Sequence, residues 1–152
     1  MKEYPWGKGT PKWVRDATAN DSDKSFTVPA GKVWRLLGIY AYISCTATVG
    51  NRVLAAAITD GTNAFYTSGG TAGITASQTG QLFLMTAANA TQSASIHRSL
   101  ANVATIVNVQ MNEILPDVVL SAGYVVRVWD AGVADVAADD LTVVLHYVEY
   151  DA

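Results

Sequence analysis

The stretch Phe26-Thr27-Val28-Pro29-Ala30-Gly31-Lys32-Val33-Trp34-Arg35 decides the fold class, because its phrase Ala-Gly-x-Val-x-Arg occurs again. The second copy is Ala122-Gly123-Tyr124-Val125-Val126-Arg127, entered through Val118-Val119-Leu120-Ser121. Each copy reads as a strand, a tight turn using glycine's tolerance of positive φ, and a second strand. Two such corners in one chain declare an all-β architecture. Arg35 and Arg127 then hold equivalent strand positions, paired with acids of the body or facing a neighbour.

Outward from these corners the pattern stays β. A strand is expected over Ser25–Val28, then a long one over Lys32–Thr48. In that long run Val33, Leu37, Ile39, Ala41, Ile43 and Cys45 form the expected core face, and Trp34, Tyr40 and Tyr42 a partly covered outer face. Gly38 marks a bulge or bend. Gly50-Asn51 and Asp60-Gly61-Thr62-Asn63 are hairpin signals, flanking strands at Arg52–Thr59 and Ala64–Thr67. Further strands are expected at Gly80–Thr86, Thr105–Met111, Ile114–Leu120, Tyr124–Trp129 and Leu141–Tyr150, with an edge or a break at Pro116. Ala90–Leu100 has room for one helical turn. Eight or nine strands joined by long crossings predict a single-domain Greek-key β-sandwich of the jelly-roll type over residues 25–152.

Residues 1–24 read as an extended N-terminal arm. Pro5, Gly7, Gly9 and Pro11 punctuate it, and no period of 2 or 3.6 is sustained. Tyr4, Trp6, Trp13 and Val14 are costly residues for a solvated tail. A docked arm is therefore expected, on its own domain or on another subunit, with Trp6 and Trp13 as anchors.

The 152 residues carry a net charge of -3, which conceals a division. Lys2, Lys8, Lys12, Arg15, Lys24, Lys32 and Arg35 outweigh Glu3, Asp16, Asp21 and Asp23 in the first 35 residues. Beyond them Arg52, Arg98 and Arg127 face nine acids. A basic arm on an acidic body suits docking onto an acidic neighbouring subunit. Nucleic acid is disfavoured as a partner, since phosphate binding uses denser Lys/Arg clusters. No apolar run reaches the length of a membrane span, and Met1–Trp6 lacks the apolar centre of a secretory signal. The one cysteine, Cys45, reads as a small buried hydrophobe rather than a reactive thiol.

Catalysis needs a base, a nucleophile and an orienting group that converge. Only His97 and His146 are available, neither in a metal-ligand spacing, and no Gly-x-Ser-x-Gly elbow or phosphate loop occurs. No enzymatic activity, cofactor or metal site is expected. Asp130, Asp135, Asp139 and Asp140 gather in one loop and have three readings: a subunit contact to a basic arm, a calcium site, or a solvated loop. Trp34, Tyr40, Tyr42 and Trp129 are a candidate sugar-stacking platform, set against a core or interface role.

The segments Val28–Ile39, Thr46-Ala47-Thr48-Val49-Gly50-Asn51-Arg52 and Asp139-Asp140-Leu141-Thr142-Val143-Val144-Leu145-His146-Tyr147 resemble small virion proteins of tailed bacteriophages, among them capsid decoration (cement) proteins. The resemblance covers most of the chain from Phe26 onward. It implies a homo-oligomer, commonly a trimer, on the outer capsid surface, assembled in the host cytoplasm and clamping the major capsid protein. The contact residues expected on this basis are Tyr4, Trp6, Lys8, Lys12, Trp13 and Arg15. A head–tail adaptor, or a tail or fibre module that binds glycans, is the alternative.

Overall fold

Ten strands and no helix form the described part of the chain. The structure, a computed structural model, describes residues 8–20, 23–69, 73–86, 108–132 and 138–152. The expected turn at Ala90–Leu100 lies outside them. The strands are β1 (Thr10–Asp16), β2 (Lys24–Thr27), β3 (Lys32–Ser44), β4 (Leu54–Thr59), β5 (Ala64–Gly69), β6 (Thr79–Thr86), β7 (Asn108–Leu115), β8 (Val119–Leu120), β9 (Val125–Asp130) and β10 (Asp140–Asp151). One sheet runs β1-β10-β3-β6-β7, with β8 paired to the start of β3, and the other runs β2-β9-β4-β5. The chain is thus a β-sandwich, as its alternating runs predict.

The pairing has a simple logic. With β7 and β8 set aside, the first strand pairs with the last, β1 with β10, and then β2 with β9, β3 with β6 and β4 with β5, all antiparallel. The chain is one long hairpin, its tip at Asp60–Asn63, rolled so that successive rungs fall in alternate sheets. The contacts β10–β3 and β9–β4 close each sheet across the roll. Strand β7 departs from the pattern by running parallel to β6. Pro116, which cannot donate a ladder hydrogen bond, falls in the gap between β7 and β8.

Period-2 alternation places the core. Leu141, Val143, Leu145 and Tyr147 of β10 and Ile39, Ala41 and Ile43 of β3 meet Phe26, Leu54, Ala56, Ile58, Val126 and Val128 of the other sheet. At about 25 cal/mol per Å² of apolar surface removed from water, these side chains supply the main drive for folding.

The start of β3 corrects the expected core face. Gly38 pairs with His146, but Leu36 pairs with Tyr147, which leaves Leu37 bulged out of register. One extra residue reverses the alternation. Trp34 and Leu36 therefore join Ile39 and Ala41 inside, while Leu37 is only partly buried. Val33 is buried on the opposite, outward face, beside its pairing partner Tyr150.

The two Ala-Gly phrases are corners at the same end of the sandwich. Gly31 and Gly123 have φ of 71° and 88°. Lys32 N–H closes on Pro29 O at 3.2 Å, and Tyr124 N–H on Ser121 O at 3.1 Å. The corners are also tied together, Val28 N–H donating to Tyr124 O (2.9 Å) and Gly123 N–H to Val28 O (3.0 Å).

Candidate interaction surface

The stretch read as an arm contributes β1, which lies on its own domain. Thr10–Asp16 pairs with Glu149–Val143 of β10. Among the described residues no strand lies on its other side, so β1 is an edge with backbone groups open to a partner. Gly9 packs against Val148 and Tyr150, where a side chain would not fit. Alternation sends Lys12, Val14 and Asp16 toward the sandwich interior and Pro11, Trp13 and Arg15 to the outer face. Val14 packs against the core.

Trp13 is 68% exposed, an unusual position for an indole. It pairs with the exposed His146, which pairs in turn with Gly38. The next row on the same face is Arg15, Val144, Tyr40 and Phe83. Tyr40 and Phe83 stack with centroids 4.9 Å apart. Burial raises the Tyr40 hydroxyl above its ordinary pKa, as does Tyr42, while the positive charge of Arg15 works the other way. The outer face beside β1 is therefore aromatic and cationic. Lys12 is held at the opposite face, 2.7 Å from Glu149 Oε1. Lys8 is exposed at the head of the segment. Tyr4 and Trp6 lie outside the described residues.

The acidic loop divides. Asp139 faces inward and is fully buried, which removes it from any surface a partner would touch. Its Oδ2 accepts from Arg52 Nε at 2.6 Å, and its Oδ1 from Thr46 N–H (2.6 Å) and Thr46 Oγ1 (2.8 Å). Arg52, also fully buried, donates from Nη1 to Thr48 O and Gly50 O, 2.8 and 2.9 Å away, and from Nη2 to Asp139 Oδ1 at 3.5 Å. Burial pushes the Asp139 carboxyl up, but the hydrogen bonds from Thr46 and Arg52 and the Arg52 charge outweigh it and hold it below the usual value. Asp130 Oδ1 accepts from Val53 N–H (2.7 Å) and Gly132 N–H (2.8 Å), bracing two loops. Asp140 is exposed, and Asp135 lies outside the described residues. Among the described residues no three His, Cys, Asp or Glu side chains are placed to hold a metal ion.

Cys45 is buried beside this pair. Burial, with the negative charges of Asp139 and Asp130, raises its thiol to about 11 against the pull of Arg52. A thiol so protonated at neutral pH is a poor nucleophile.

The sugar platform does not assemble. Trp34 is in the core, 4.2 Å from the ring of Tyr147, with Nε1–H on Glu149 Oε2 at 3.0 Å. Tyr40 and Tyr42 lie on the outer face of one sheet. Trp129, with Arg127 4.8 Å over its ring, alternates with the buried Val126 and Val128 and so faces outward on the other. The two corner arginines are both paired: Arg35 grips Asp117 through two bonds of 2.9 Å, and Arg127 pairs with Asp23. Sequence reasoning missed Arg52. Its one signal was an arginine entering an otherwise apolar strand.

No family model and no curated protein matches the chain. Among solved structures, the dimeric latent PorU from Porphyromonas gingivalis is similar at 7% identity and a TM-score of 0.43, over 94% of this chain. Infectious bursal disease virus, Gx strain, is similar at 12% identity and a TM-score of 0.29, over 93% of this chain. A virus structure thus stands among the weak neighbours. The chain spans about an eighth (13%) of the PorU chain and 38% of the viral chain.

Proposed function

We propose that this chain is a non-enzymatic structural protein of a virion, a decoration protein that binds the outer surface of a tailed-phage head. The observation that carries the reading is Trp13, held exposed on a paired edge strand beside His146, with Arg15 next along the same face. An anchor aromatic with a neighbouring guanidinium, presented on a rigid strand, is the composition of an interface centre awaiting an acidic partner. The winding supports it: β1-β10-β3-β6 facing β2-β9-β4-β5 is the strand order we read as a jelly roll, an architecture that capsid and lectin domains share. In this role the major capsid protein is the partner, and many weakly held copies stabilise the shell by mass action.

The test is co-sedimentation of the purified chain with heads of the phage that encodes it. Binding in proportion to shell subunits, lost in Trp13→Ala, is the expected result. Binding in one ring at a single vertex would mean a head–tail adaptor instead. Retention on glycan arrays through Trp129, with no affinity for heads, would mean a receptor-binding module.

A further inference from the structure

The open edge of β1 carries a sequence complementary to itself. We propose that two copies of this chain associate about a two-fold axis, their β1 strands pairing antiparallel with Val14 opposite Val14 of the second copy.

The argument is one of register. Even-sum registers keep the interior faces of both copies on one side of a continuous sheet, while odd-sum registers would turn one copy inside out. Centring on Lys12 or on Arg15 sets like charges opposite each other, which is unfavourable. Centring on Trp13 puts Lys12 opposite Val14 and Arg15 opposite Pro11, with no charge matched. Centring on Val14 puts Lys12 opposite Asp16 and Trp13 opposite Arg15, and the two-fold axis repeats both pairs. The first is a salt bridge on the interior face, and the second sets a guanidinium against an indole on the outer face.

The free groups suit these roles. The Arg15 guanidinium has no ion-pair partner among the described residues, and Trp13 is the most exposed of the described tryptophans. Lys12 and Asp16 have side chains 45% and 38% exposed; Lys12 Nζ holds Glu149, and Asp16 Oδ1 accepts from Thr18 N–H at 3.0 Å with Lys24 Nζ 3.7 Å away, which leaves further bonding capacity on both. Pro and charged residues on an edge usually guard against pairing. Here Pro11 falls outside the five residues, 12 to 16, that pair, and within them Lys12 faces Asp16 and Arg15 faces Trp13 of the second copy. The contact is isologous. It replaces the trimer implied by the resemblance, and it doubles the Trp13–Arg15 patch without depending on shell binding.

The experiment is cross-linking combined with sedimentation equilibrium on the purified chain. Residues directly opposite in an antiparallel pair lie about 4.5–5.5 Å apart at Cα, within reach of a disulfide. Val14→Cys is expected to form a covalent dimer on mild oxidation, with Cys45 buried and silent. Trp13→Cys, offset from its own image by two residues, is expected not to. Arg15→Glu, which breaks no ion pair among the described residues, is expected to weaken the wild-type dimer about tenfold while leaving the circular dichroism unchanged. A wild-type chain that stays monomeric at high concentration overturns the proposal. So does a trimer, or cross-linking through Trp13→Cys in place of Val14→Cys. Shell binding by a strict monomer would leave the proposed function standing and remove only the dimer.

Discussion

The two ends of the sandwich are closed by different means. At one end lie the corners Pro29–Lys32 and Ser121–Tyr124 and the hairpin tip Asp60–Asn63. Here each turn closes through short-range backbone bonds, two backbone bonds tie Val28 to the second corner, and Gly31, Gly61 and Gly123 take the positive φ that the turns require. At the other end the loop around 46–53 meets Asp130, Ala131 and Asp139 about the buried Arg52–Asp139 pair, whose members are 87 residues apart in sequence. The first end rests on local conformational preference and uncharged backbone bonds. The second rests on a charge pair removed from water, which holds only while both partners are present. A fault at the corners therefore costs the strain of one residue, whereas a fault at the ion pair strands a charge in the interior.

The largest expected effect breaks the second end. Asp139→Ala should destabilise the fold by about 3–5 kcal/mol, read as a lowered urea midpoint, because Arg52 is left buried and uncompensated. The double variant Arg52→Met/Asp139→Leu should recover part of that loss. If the single and double variants are equally damaged, the charge is not what holds this end.

Acid sharpens the same contrast. The folded-state pKa of Asp139 lies below its ordinary value, so its contribution to stability is present above about pH 4 and disappears as pH falls through the depressed value. Thermal midpoints should fall steeply below pH 4 in the wild type. In Asp139→Asn that part of the slope should be missing.

Smaller effects belong to the corners. Gly31→Ala and Gly123→Ala should each cost about 1–2 kcal/mol, since both sites are open and only the backbone objects. A cost as large as that of Asp139→Ala would erase the distinction between the ends. Smallest of all, Arg35→Ala, which breaks the exposed Asp117 pair, should stay within about 1 kcal/mol. Cys45 offers an independent probe of the second end: its reaction with a disulfide reagent at neutral pH should be slow in the wild type and faster in Asp139→Ala.

How much was legible follows the same division. The all-β class, the Ala-Gly corners, the hairpin at Asp60–Asn63 and the break at Pro116 are written in short-range chemistry. The face of Trp34 was not, because a single bulged residue, Leu37, reverses the alternation and bulges carry little sequence signal. In the candidate surface, Trp13 was visible as a residue out of keeping with a solvated tail, and Arg15 as part of the basic arm. Their placement on an edge strand beside His146 was not, since it depends on a pairing with residues more than 120 positions away. Asp139 looked like a surface acid in a polar loop, yet it is buried because Arg52 comes to meet it.

By itself the sequence determined strands, corners and the imbalance of charge between the two parts of the chain, all properties of neighbours within a few residues. The tertiary structure alone decided which strand became the open edge, which aspartate was taken out of water and which tryptophan was left in it. Those outcomes depend on the roll of the long hairpin, which brings first strand to last and so sets contacts that no local window contains.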